Sequence, residues 1–117
     1  MKISELTGAA LDWAVAKCEE PIGGYKAWVQ DDLTKGVLHG MDYSTDWQWG
    51  GEIIEREEIA IQCCYTDGEL DGWMADSKKL NDDEDMEQYG PTPLIAAMRC
   101  FVASRLGDEI ELPETLI

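Results

Sequence analysis

The sequence predicts an α+β fold: two helices packed against a small, mostly antiparallel sheet, in one domain (residues 1–117) that carries a long aromatic loop. Three observations lead there. Residues 92–107 repeat apolar side chains at spacings of three and four between a marked start and a marked stop. Residues 6–18 carry a second stripe of that period. Residues 59–75 read as an alternating run, a turn and a returning run, which is a β-hairpin. The chain is 117 residues long and 44% hydrophobic, enough for one domain with a modest core and too apolar for a disordered acidic tail.

In chain order, Leu11, Ala14, Val15 and Cys18 make the buried stripe of the first helix, with Thr7 or Ser4 to cap it. The small side chains of Ala9, Ala10 and Ala14 let a neighbour approach closely, and the later helix, with Ala96, Ala97 and Ala103, is the natural one. Trp13 lies beside the stripe, at the edge of the core. Pro21 to Gly24 ends the helix and opens a loop. Residues 25–29 fit a short strand. No period is sustained over residues 30–51, which hold the sole histidine, His39, and the aromatic cluster Tyr43, Trp47 and Trp49 among glycines. Loops of such length in small domains are usually functional or mobile. Residues 53–58 read as a turn leading into a strand. Ile59, Ile61, Cys63 and Tyr65 share one face of the first hairpin strand, Thr66-Asp67-Gly68 turns, and residues 69–75 return. Residues 78–89 read as a solvated surface loop, because acids fill five of the six positions from Asp82 to Glu87.

The helix over residues 92–107 is the expected centre of the core. Thr92 caps it, Pro93 fits its first position, and Gly107 closes it. Leu94, Ala97, Met98, Phe101 and Val102 form its apolar stripe, with Arg99 and Arg105 outside that stripe. Residues 109–112 alternate and fit an edge strand stopped by Pro113.

Nine basic against 25 acidic residues give a net charge of −16. Such a field repels nucleic-acid phosphates, so direct nucleic-acid binding is disfavoured, and it attracts basic protein surfaces. The N-terminus turns polar at once and no apolar run reaches spanning length, so neither a signal peptide nor a membrane segment is expected. Cys18, Cys63, Cys64 and Cys100 form no CxxC pair, which fits a reduced cytosolic protein.

No catalytic or metal motif emerges. His39 has no partner pattern for a nucleophile. Cys63 and Cys64, adjacent on a strand, point to opposite faces and cannot share a metal. The acidic run at 82–85 lacks the spacing and glycine of a calcium loop. Neither Gly-Gly pair has the flanking residues of a phosphate loop. No cofactor or metal is therefore expected. What remains is the density of large rings: indoles stack flat ligands and anchor interfaces, or else cover a thin core. The candidate ligand-binding residues are Tyr43, Trp47, Trp49, Arg56 and Trp73, with Arg56 to meet an anionic group.

Three segments resemble one family. Residues 4–16, the Ser44-Thr45-Asp46-Trp47 and Gly50-Gly51-Glu52-Ile53-Ile54-Glu55-Arg56-Glu57 segment, and residues 90–99 are similar, in that order, to the NinX-like family of tailed phages and prophages of enteric bacteria. The family pattern has proline after the paired glycines; Glu52 stands there in this chain. The resemblance implies a setting, a phage accessory protein acting in the host bacterial cytoplasm, and supplies no catalytic residues. The expected function is non-enzymatic: to bind and withhold or block a host component, a small molecule such as a nucleotide-type defence signal, with the protein as a homo-oligomer. The alternative is an acidic inhibitor covering a basic surface of a host nucleic-acid-binding or defence protein.

Overall fold

The structure is a computed structural model in which residues 1–23, 27–80 and 87–116 are described. It is α+β, with four helices and a three-stranded antiparallel sheet among the described residues. A short 3-10 turn, Ile3–Glu5, leads into helix α1 (Gly8–Gly23) and helix α2 (Ala27–Thr34). Helix α3 (Trp47–Arg56) precedes strands β1 (Ala60–Thr66), β2 (Glu69–Asp76) and β3 (Gln88–Gly90), and α4 (Pro93–Leu106) closes the core.

The sequence places α4 correctly. The Thr92 hydroxyl accepts the Ile95 N–H at 3.1 Å, Pro93 is the first helical residue, and Gly107 ends the helix at φ 83. Its burial differs from the expected stripe. Leu94 and every residue from Ala96 to Ala103 are buried, including Arg99. The reason is that α4 packs on all three strands and also on α1 and α3, so little of its circumference meets water. A helix apolar on nearly all sides is a core helix.

The hairpin is also as read. β1 and β2 pair from Ala60–Asp76 to Thr66–Glu69. Its two turn residues, Asp67 and Gly68, both take positive φ, 53 and 82, which matches the right-handed twist of the strands they join. β3 adds to β2 through Trp73–Gly90, Met74–Tyr89 and Ala75–Gln88.

Five expectations are corrected. Residues 27–29, read as the end of a strand, begin α2, whose Leu33 is fully buried; the rest of that expected strand lies outside the described residues. At the end of α2 the Leu33 oxygen accepts the Gly36 N–H at 3.0 Å and also the Trp13 indole N–H at 2.6 Å, which ties the helix to α1. Trp47 and Trp49 are on a helix and not in a loop, and Ile53 and Ile54 continue that helix. The expected surface loop at 78–89 ends in β3, while its acidic run at 82–85 lies outside the described residues. The expected edge strand at 109–112 is reduced to one bridge, Lys2 to Glu109, beside the N-terminus. Helix α1 also runs through Pro21 to Gly23, where the sequence suggested its end.

Candidate functional site

The five predicted site residues fall into three places. Trp47 and Trp49 form the first turn of α3. Asp46 caps that turn, its carboxylate accepting the Gln48 N–H at 2.9 Å. Trp47 is 55% exposed and Trp49 38%. Two positions along an α-helix turn by about 200°, so the two indoles leave the helix on different sides. Gly50 brings the helix against its surroundings: a methyl group there would overlap the Tyr43 carbonyl oxygen and come within 2.6 Å of a Leu94 methyl carbon. Tyr43 is buried beneath, its ring edge-on to Trp49 at 5.4 Å, so it supports the exposed indole from inside.

Arg56 is at the other end of α3, about 13 Å along the axis from Trp47. Its guanidinium is committed inward. Nη1 and Nη2 donate to the two oxygens of Glu19 at 3.0 and 2.5 Å, and Nε donates to Glu57 at 2.9 Å. Lys79 and Arg105 approach Glu57 at 3.8 and 3.7 Å. Arg56 and Arg105 both lie over the Phe101 ring. The bidentate contact with Glu19 raises the Arg56 pKa further above its ordinary value. Arg56 therefore ties α1 to α3 and does not face an open pocket with the indoles.

Trp73, half-buried on β2, lines a cleft of about 550 Å³ between the β2–β3 pair, the N-terminal 3-10 turn and α4. None of the other four predicted residues lines it. Cys64, Asp71, Tyr89 and Arg99 do, and sequence reasoning did not single them out for a site. Arg99 was placed outside the apolar stripe; its burial follows from β3, which the sequence did not reveal.

Elsewhere, His39 is half-exposed, its Nε2 2.8 Å from an Asp32 carboxylate oxygen and its ring edge-on to Trp28 at 4.9 Å. Neither neighbour is a serine, threonine or cysteine that His39 could activate. Burial pushes the Cys18 thiol up to about 12 and the Cys100 thiol up to about 11, which makes both inert at neutral pH. Among the described residues no group of three or more His, Cys, Asp and Glu side chains is placed to hold a metal ion. No helix among them is long and apolar enough to cross a membrane.

The family model described as bacteriophage P22, NinX matches residues 2–105, nearly the whole chain. No curated protein matches.

Proposed function

The chain belongs to the bacteriophage P22 NinX family, and from that premise we propose that it is a phage accessory protein that binds and blocks a host protein in the infected cell's cytoplasm. The observation that supports this reading is the pair of exposed indoles, Trp47 and Trp49, held on a capped helical turn and braced by buried Tyr43. Tryptophan is the side chain most enriched at the energetic centres of protein interfaces. A helical turn that projects two indoles in different directions suits a groove on a macromolecule better than a single flat ligand. The net charge of −16 makes a basic host surface the complementary partner, such as the cleft of a nucleic-acid-binding or defence protein.

A nucleotide-type signal held by the same five residues is the less favoured version, because Arg56 is spent on Glu19 and Glu57 and Trp73 belongs to a separate cleft. Counter-defence by stoichiometric blocking needs no turnover.

The test is capture from lysate of infected cells with the wild-type chain and with a Trp47→Ala/Trp49→Ala double variant. A host protein held by the first should be released at least about tenfold more readily by the second, the loss expected when two interface anchors are truncated. Equal capture by both chains would remove these indoles from the interface.

A further inference from the structure

Arg99 is at odds with its surroundings. It is only 7% exposed on the core helix of a chain with 25 acidic residues, yet no carboxylate among the described residues pairs with it. Its Nε donates to the Leu6 carbonyl at 2.9 Å and its Nη1 to the Tyr89 carbonyl at 2.7 Å. A guanidinium has five N–H groups, so these two bonds leave donors in hand. Burial pulls its pKa below the ordinary arginine value, and no acid among the described residues raises it again. A desolvated cation without a counter-charge is costly, and two carbonyl dipoles offset that cost only in part.

Arg99 lines the cleft that holds Trp73. The main chain on that side is specially shaped. Cys64 pairs with Gly72 and Tyr65 with Leu70, so Asp71 is an extra residue that bulges from β2 at the cleft wall. The two acids of the lining are occupied: Asp71 accepts from the Thr66 hydroxyl at 3.0 Å, and Glu87 accepts from the Tyr89 hydroxyl at 3.0 Å. A volume of about 550 Å³ is in the range of small-molecule sites.

We propose that this cleft binds a small organic anion of single charge carried on a flat ring, with the anionic group on the remaining Arg99 N–H groups and the ring against the Trp73 indole. The guanidinium attracts a single negative charge, while the carboxylates of Asp71 and Glu87 in the same lining oppose any anion that carries more. The indole supplies a stacking face. Cyclic mononucleotides and aromatic carboxylates share this chemistry. The site is separate from the α3 surface and does not depend on the protein-blocking reading.

The experiment is calorimetric titration of the full chain with four probes: cyclic AMP, naphthoate, inorganic phosphate and choline. One or both ring-bearing anions should saturate with a Kd of about 1 mM or tighter. Preference for cyclic AMP assigns the cleft to nucleotides, and preference for naphthoate assigns it to aromatic acids. Ser4→Trp fills the cleft from its exposed rim without touching the core and should weaken binding at least about tenfold, or about 1.4 kcal/mol. This variant keeps the test decisive if replacement of Arg99 unfolds the chain. Absence of saturation by either ring anion, equal binding of inorganic phosphate, binding of choline in their place, or indifference to Ser4→Trp would overturn the assignment.

Discussion

Arg56 bonds a carboxylate 37 positions earlier in the chain and another at the next residue, and both are nearly buried. Removing the cation leaves Glu19 and Glu57 charged without their main partner. Arg56→Met should therefore cost roughly 2–4 kcal/mol in urea unfolding, less than a fully buried pair because a third of the Arg56 side chain meets solvent. A loss within experimental error would show that Lys79 and Arg105 can take over. Asp12 is the opposite case. It is buried on α1 and accepts the Ser44 N–H at 2.8 Å. Burial raises its pKa, the hydrogen bond from the Ser44 N–H lowers it, and the negative charge of Asp42 raises it, with a net upward shift. The fold thus favours the protonated acid. The stability this brings is full below the unfolded value of about 3.9 and is lost as pH rises through the folded value. Asp12→Asn keeps an acceptor for Ser44 and avoids the buried charge. At pH 7 its unfolding midpoint should equal or exceed the wild type, with the gap closing as pH falls toward 4; a lower midpoint at pH 7 would contradict the sign.

Helix α3 carries the element-scale lesson. Its first half, Trp47-Gln48-Trp49-Gly50-Gly51, has poor intrinsic helicity, since each glycine costs about 1 kcal/mol relative to alanine. Packing on α4 overrides that cost, and Gly50 is the residue that permits the approach. Gly50→Ala should consequently destabilise by roughly 1–3 kcal/mol although alanine is the better helix former, because the Tyr43 carbonyl and Leu94 have to move. An unchanged or higher melting point would mean that the α3–α4 contact is loose. The helix left a partial signal in the sequence: Asp46 as cap, then Gly50, Ile53 and Glu57 at spacings of three and four. Helices α1 and α4 and the β1–β2 hairpin were legible because their period, caps and turn are local. Strand β3 was not, because three residues carry no period and exist as a strand only by pairing with β2.

For the whole molecule, charge sets the conditions of stability. A net charge of −16 on 117 residues opposes compaction by self-repulsion, which salt screens, while the enclosed pairs of Arg56 are screened far less. The thermal midpoint should rise by a few degrees between low and physiological ionic strength; a fall would mean that exposed ion pairs outweigh the repulsion. The sequence by itself determined the α+β class, the central helix with its caps, the hairpin, the acidity and the family, because each is carried by residues adjacent in the chain or by totals over it. Only the tertiary structure decided which rings meet solvent, that Arg56 faces Glu19, and that Arg99 is enclosed beside Trp73. Burial and pairing are properties of what packs against a side chain, and those neighbours come from segments tens of residues away that no local pattern specifies.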